Sequence, residues 1–116
     1  MWSKEKIQDW YDDHKWLVGC NYLPSSAINQ LEMFQEDSFD ADTNKREVGW
    51  ARDVGFNSLR IYLHDLLWQD KESFKKRLNE ILSLCSDHNI KPILVLFDDC
   101  HRPFPKLGKQ PLPVRG

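Results

Sequence analysis

Polar side chains that can bind a ligand or transfer a proton occur at the ends of three apolar segments of this chain. Asn21 and Tyr22 end the first segment, His64 and Asp65 follow the second, and the run Asp-Asp-Cys-His at 98–101 follows the third. Parallel α/β proteins place ligand and catalytic sites at the carboxyl ends of their strands. Turn chemistry alone also favours Asp and Asn at such positions. The pattern therefore predicts one site at this end of a sheet and leaves the structural alternative open.

Two further residues are candidates for the same site. Arg60 stands between Leu59 and Ile61, and a buried guanidinium there would orient and ionise an active-site carboxylate. The alternative is an edge-strand arginine that reaches solvent. Trp68 follows the second polar pair, where an indole ring can stack on a sugar or pack within a loop. We expect Arg60 inside the core of the sheet, and we leave both alternatives open for Trp68.

Asp98 and Asp99 are adjacent, and neighbours in an extended chain point to opposite faces. Because the two carboxylates of a glycosidase must flank one bond, we interpret this pair as substrate-binding or structural. The same geometry argues against a Cys–His nucleophile from Cys100 and His101. The sequence contains no H-E-x-x-H, C-x-x-C, G-x-G-x-x-G or P-loop motif, so we expect neither a metal nor a cofactor.

Hydrophobic periodicity predicts the elements that must position these residues. The predicted helices cover 3–14, 27–34, 40–55 and 71–88, and the predicted strands cover 16–22, 58–64 and 91–97. Trp10 and Trp50 fall on apolar helix faces and are expected in the core. The nearly continuous apolar run of the third strand is typical of a strand covered on both faces. The alternation of helices and strands predicts an α/β fold with parallel strands, followed by a loop over 101–116.

Composition limits the class of protein. The chain has 116 residues, 41% of them hydrophobic and 29% charged, with a net charge of -2, which is typical of one soluble globular domain. This charge balance argues against nucleic-acid and membrane-surface partners. Neither a bilayer-spanning apolar run nor a signal peptide is visible, so we expect a cytoplasmic location, with export not excluded.

Four stretches of the sequence resemble a known family. The run 16–37, which begins W-L-V-G-C-N-Y-L-P-S-S, resembles the start of cellulase-like glycoside hydrolases of clan A, which are family 5-like and often labelled 1,4-beta-xylanase. The run 55–68, G-F-N-S-L-R-I-Y-L-H-D-L-L-W, is similar to that family's second strand and loop. The run 88–100 is similar to its third strand, and 105–111 also matches.

The resemblance implies a (β/α)8 TIM barrel that hydrolyses β-linked oligo- or polysaccharides with retention. Arg60 matches the second-strand arginine that supports the nucleophile, and His64, Asp65 and Asp98 match positions that line the sugar cleft. His101 departs from the tryptophan expected there. The family's acid/base and nucleophile glutamates follow the fourth and seventh strands, which places both beyond Gly116. We therefore assign no catalytic residue within the chain.

Residues 1–116 are accordingly expected to form a single partial domain, the first three βα units of an incomplete TIM barrel. Such a piece would form part of the sugar cleft but would be inactive by itself. Three strands leave sheet edges open, so self-association through these edges is an alternative partner interaction. Two other functions stay open: a non-catalytic carbohydrate-binding remnant that oligomerises, and a small α/β interaction domain.

Overall fold

The computed structural model describes residues 1–96, 98 and 103–112. Within that part of the chain the helices are α1 (Lys4–Asp12), α2 (Gln30–Phe34), α3 (Ala41–Asp53) and α4 (Lys71–Asp87), and the strands are β1 (Gly19–Tyr22), β2 (Ser58–Tyr62) and β3 (Lys91–Val95). A 3₁₀ helix, Asp65–Asp70, lies between β2 and α4. No helix in the described ranges combines the length and the apolar character that crossing a bilayer requires.

The three strands form one parallel sheet in the order β1-β2-β3. Asn21 lies opposite Arg60, and Arg60 lies opposite Ile93, so the polar ends of the three strands stand at the same edge. The predicted α/β class and parallel pairing are confirmed. The strands are shorter than their apolar runs, because pairing includes only the last four residues of the first run and five residues of each of the others.

Local capping sets the ends of the helices. Ser3, Asp40 and Asp70 each accept a hydrogen bond from the backbone amide three residues further on, which satisfies a donor that the first helical turn leaves unpaired. Gly55 after α3 and Asn89 after α4 adopt positive φ angles of 95° and 55°, as helix-ending residues often do. The helix starts predicted near residues 3, 40 and 71 are thus confirmed.

The hydrophobic core lies on one face of the sheet. Leu59 and Ile61 of the central strand are completely buried there. Phe34 of α2, Val48 of α3 and Ile81 of α4 pack in the same cluster. The opposite face, which we call the open face, carries Asn21, Arg60, Tyr62, Ile93 and Val95, by the alternation of the strands and their register.

The open face differs from the prediction for β3. The apolar run of β3 predicted burial on both faces of the strand, yet Ile93 is 48% exposed in this structure. The reason is that the helices of the described residues pack against the other face only. Periodicity therefore identified an apolar strand correctly, whereas the expected burial of both its faces is not found among the described residues.

The placement of Trp10 and Trp50 in the core was wrong. Their side chains are 39% and 58% exposed. Helix α1 has no buried residue, so its apolar stripe, which includes Trp10, is not part of the hydrophobic core. The Trp50 ring lies on the outside of α3, where the guanidinium of Arg46 stands 5.3 Å from its centroid. A helical period shows that a face is apolar but does not show what packs on it.

Gly19 permits the close pairing of β1 with β2, and this close approach can be tested. A Cβ atom at Gly19 would lie 1.8 Å from the carbonyl oxygen of Ser58, so Gly19→Ala must push the strands apart. We expect the variant to lose about 1–3 kcal/mol of unfolding free energy, measured by urea denaturation.

Gly49→Ala is the matched control for this prediction. Gly49 lies within α3, and the nearest atom to a new Cβ there would be Nε2 of His88 at 3.9 Å. Alanine is the better helix former, so this variant should gain about 0.5–1 kcal/mol. Equal urea midpoints for the two variants would contradict the proposed role of Gly19.

Candidate functional site

A pocket of about 380 Å3 opens at the carboxyl end of the sheet, and we call it the strand-end pocket. It is lined by Asn21 of β1, by Tyr62 of β2, and by Asp98 in the chain after β3. The segment that begins α2 forms the facing wall with Asn29 and Gln30. The pocket therefore lies where the strand-end polar residues predicted a site.

The structure brings two of the predicted site residues, Asn21 and Asp98, to this pocket. Asn21 is an exposed residue near the end of β1. The backbone carbonyl of Asp98 accepts a hydrogen bond from Nε2 of Gln30 at 3.0 Å. This contact joins the chain after β3 to the wall at α2. Asp99, together with Cys100 and His101, lies outside the described residues.

His64 and Asp65 do not line the strand-end pocket. His64 is only 7% exposed, and its Nδ1 lies 3.2 Å from the amide nitrogen of Leu66 and 2.8 Å from Oδ1 of Asp65. A neutral Nδ1 can accept from the amide, whereas a protonated Nδ1 can donate to the carboxylate, so its protonation decides which hydrogen bond forms. Either contact lies at the start of the 3₁₀ helix, which favours the structural alternative for His64 and Asp65.

The expectation that Arg60 is buried is not met in this structure. Its side chain is exposed on the open face, because the helices cover only the face that carries Leu59 and Ile61. The guanidinium lies 4.9 Å from the centroid of the Tyr62 ring, within the range of a cation–π contact. Since Tyr62 lines the strand-end pocket, Arg60 adjoins the pocket through that ring. Its proposed support of a catalytic carboxylate stays a prediction.

Trp68 stands apart from the strand-end pocket. It belongs to the 3₁₀ helix, is 57% exposed, and packs edge-to-face against Phe74 with ring centroids 6.4 Å apart. Nζ of Lys75 lies 5.4 Å from the centroid of its ring. These contacts favour packing at the start of α4 over a place in the same site as Asn21 and Asp98.

Tyr22 forms a buried hydrogen bond with Asn44, a residue that the sequence did not mark as part of a site. Tyr22 lines the pocket and is 8% exposed, and its hydroxyl donates to Oδ1 of Asn44 at 2.8 Å. Asn44 is 1% exposed and donates in turn to the backbone carbonyl of Asp40 at 2.8 Å. Burial raises the pKa of the Tyr22 phenol, and the negative charge of Glu47 raises it further. The signal in the sequence was an asparagine four residues before Val48, on the buried face of α3.

The pocket wall formed by Asn29 and Gln30 at the start of α2 was likewise not predicted from the sequence. Oδ1 of Asn29 accepts from the amides of Leu31 and Glu32 at 3.1 Å each, and Oε2 of Glu32 accepts from the amide of Ile28 at 2.8 Å. This exchange resembles a capping box, in which a capping residue is followed three positions later by Glu. The sequence N-Q-L-E at 29–32 carries that signal. It would have placed Asn29 at the exact start of α2.

A second groove, of about 490 Å3, lies beside α1 and is lined by aromatic residues that include Trp10, Tyr11 and Trp16. It contains none of the predicted strand-end residues. It is larger than the strand-end pocket, and its polar lining residues, Asp12, His14 and Lys15, all lie at or after the end of α1 rather than at a strand end. Over the described ranges, no group of three or more His, Cys, Asp or Glu residues is placed to hold a metal ion.

Comparisons with models of protein families, with curated proteins and with solved structures found no match to this chain. The resemblance to cellulase-like glycoside hydrolases therefore stays a prediction. The class that the described structure defines is a mixed α/β protein with an open, three-stranded parallel sheet and a polar pocket at its carboxyl edge.

The Tyr22–Asn44 hydrogen bond can be tested by Tyr22→Phe. The variant leaves the Asn44 oxygen buried without its donor, so we expect a loss of about 1–3 kcal/mol in unfolding free energy. The raised pKa means that folding favours the neutral phenol. Its contribution to stability is full below the pKa of about 10 in the unfolded chain, and it is lost as the pH rises above that value.

An ultraviolet titration of tyrosine ionisation checks the pH dependence. One of the three tyrosines should ionise only as the chain unfolds at high pH, and this step should be absent from Tyr22→Phe. Tyr11→Phe is the control, because Tyr11 is 59% exposed and its replacement should leave the step in place. Ionisation of all tyrosines in the folded chain would contradict the role given to Tyr22.

Proposed function

We propose that this chain supplies the first three βα units of a (β/α)8-barrel glycoside hydrolase and forms part of the cleft that binds β-linked glycans. The observation that carries the proposal is the strand-end pocket, to which the carboxyl ends of β1 and β2 and the chain after β3 contribute. In (β/α)8 barrels the ligand site is built from the same ends of the strands.

The chemistry of the pocket supports a neutral, hydroxyl-rich ligand. Asn21 and Gln30 place amide groups in the lining, and an amide can both donate and accept hydrogen bonds, although one Nε2 hydrogen of Gln30 is used by the Asp98 carbonyl. The apolar side chains of Leu23 and Met33 lie in the same lining. A pyranose presents hydroxyl groups around its rim and C–H groups on its faces, so it matches a lining of this mixed type.

The open face supports a barrel as the wider architecture. Ile93 and Val95 lie there beside Tyr62, with Ile93 about half exposed. In a barrel this face turns towards the interior, where side chains of the other strands fill the space. The proposal thus accounts for a third strand whose sequence is apolar on both faces.

The proposal separates binding from cleavage. The only carboxyl residue that the described chain contributes to the pocket is Asp98, and no glutamate of the described residues lines it. A retaining glycosidase needs two carboxyl groups about 5–5.5 Å apart. We expect the chain to bind a β-linked disaccharide without hydrolysing it, the acid/base and nucleophile glutamates being supplied by other strands of the barrel.

Calorimetric titration with xylobiose and cellobiose tests this function. Asn21→Ala and Asp98→Ala should each weaken binding by about five-fold, which corresponds to the loss of roughly one hydrogen bond. Asp65→Ala is the matched control, because Asp65 also follows a strand but does not line the pocket. Its affinity should equal that of the unchanged chain.

Three results would contradict the proposal. They are the absence of saturable binding, affinities that do not change in the two pocket variants, and an equal loss in Asp65→Ala. Release of product from a chromogenic β-glycoside by this chain would contradict the separate assignment of the catalytic groups.

The open sheet also favours one alternative, a carbohydrate-binding protein that associates with itself. β1 and β3 are the outer strands of the described sheet, and Ile93 and Leu96 are 48% and 59% exposed. Light scattering after size-exclusion chromatography separates the alternatives. A soluble oligomer of defined size favours the self-associating protein, aggregation favours part of a barrel, and a stable monomer favours a small α/β interaction domain.

A further inference from the structure

Residues 103–112, which we call the strap, lie against α2 and the residues at its two ends. Asn29, Glu32 and Gln35 are spaced three apart, and all three side chains contact the strap. Nδ2 of Asn29 donates to Oε1 of Gln110 at 2.9 Å, and the Gln110 amide donates to Oε1 of Glu32 at 3.2 Å. Nε2 of Gln35 donates to the Gly108 carbonyl at 3.2 Å, and the Gly108 amide donates back to Oε1 of Gln35.

Gln110 is the centre of this attachment. Gln110 is only 4% exposed, although glutamine side chains ordinarily lie at the surface. While Oε1 accepts from Asn29, Nε2 donates to the backbone carbonyls of Lys106 at 3.0 Å and Gly108 at 2.7 Å. The side chain thus folds the strap into a turn and fixes that turn to the start of α2.

The direction of these hydrogen bonds is set by the helix. Oδ1 of Asn29 accepts hydrogen bonds from the backbone amides of Leu31 and Glu32 at the start of α2. A backbone amide can only donate, so the Asn29 oxygen must face these two groups. Nδ2 must therefore be the atom that faces Gln110, and Gln110 must present its oxygen to it. Asn29 also lines the strand-end pocket. One side chain thus caps α2, forms the pocket wall and holds the strap.

The strap is attached mainly by polar contacts. Its large apolar side chains point away from the core: Phe104 is 89% exposed, Leu112 is 79% exposed and Leu107 is 41% exposed. A hydrogen bond contributes on the order of 1 kcal/mol net, and no large apolar burial supplements it here. Docking of the strap should therefore respond to the loss of a single contact.

We propose that Gln110 is a positioning residue of the strand-end pocket, which acts through Asn29 and couples docking of the strap to binding in the pocket. Docking adds a second restraint to the Asn29 amide, whose Oδ1 already caps α2. An occupant of the pocket that contacts Asn29 in turn favours the docked strap, because such coupling is reciprocal. The nature of the occupant, a β-linked glycan, rests on the proposed function, whereas the tie between strap and wall does not.

Limited trypsin digestion of the complete chain measures docking of the strap. Lys106 and Lys109 are exposed within it and provide cleavage sites. Gln110→Ala should accelerate cleavage at these two sites by about five-fold or more, and its affinity for xylobiose or cellobiose should fall by a similar factor. The disaccharide should slow cleavage of the unchanged chain but not of the variant.

Two further variants sharpen the test. Asn29→Asp keeps an oxygen to cap α2 but removes the Nδ2 donor, so it should reproduce both effects of Gln110→Ala. Gln8→Ala removes a comparable side-chain hydrogen bond, from Nε2 to Asp12 on the exposed helix α1, and should change neither cleavage nor affinity. A purely structural role of Gln110 would leave the affinity for the disaccharide unchanged.

The outcomes separate this inference from the proposed function. Faster cleavage of Gln110→Ala with an unchanged disaccharide affinity would overturn the coupling and leave the function standing. If the unchanged chain binds neither disaccharide, hydrogen exchange of the Leu31 and Glu32 amides decides the inference instead. Faster exchange in Gln110→Ala would support the tie between strap and wall, and unchanged exchange would overturn it.

Discussion

The one-sided burial of the central strand β2 determines the rest of the structure. Leu59 and Ile61 are fully buried on one face, while Arg60, between them, is exposed on the other. Parallel strands need long crossovers, and the crossovers through α3 and α4 place both helices on the face of Leu59 and Ile61. The shared direction of the strands then brings their carboxyl ends to one edge, where the strand-end pocket forms.

The two edges of the sheet use their polar side chains differently. At the amino edge, Asn57 accepts from the Val18 amide at 2.7 Å and donates to the Trp16 carbonyl at 2.9 Å, so its amide is occupied by the backbone before β1. At the carboxyl edge, Asn21 lines a cavity, and so does Gln30, which also donates through Nε2 to the Asp98 carbonyl. The first arrangement fixes the position of the chain, and the second leaves polar groups facing a space that a ligand can enter. This contrast is the physical reason to place function at the carboxyl edge.

The parts of the fold that depend on neighbouring residues were predictable from the sequence. Caps such as Asp40 and Asp70 act over three residues, and the alternation along 58–64 is visible without knowing its partners. The exposure of Trp10 and Arg60 was not predictable, because it depends on whether another element covers their face. The docking of Gln110 on Asn29 joins residues 81 positions apart, and no local pattern encodes such a contact.

The open face is polar at β1 and β2 and apolar at β3, and this difference bears on what kind of surface could cover it. Asn21 and Arg60, on β1 and β2, can remain partly solvated, whereas Ile93 and Val95 on β3 gain free energy from burial, at about 25 cal/mol for each Å2 removed from water. A cover that continues the sheet beyond β3 would bury the apolar side first. It would leave the arginine beside Tyr62 near the strand-end pocket. Such a cover agrees with a barrel that stays polar where its ligand enters, and a flat apolar partner over the whole face would instead bury the Arg60 charge at a cost of several kcal/mol.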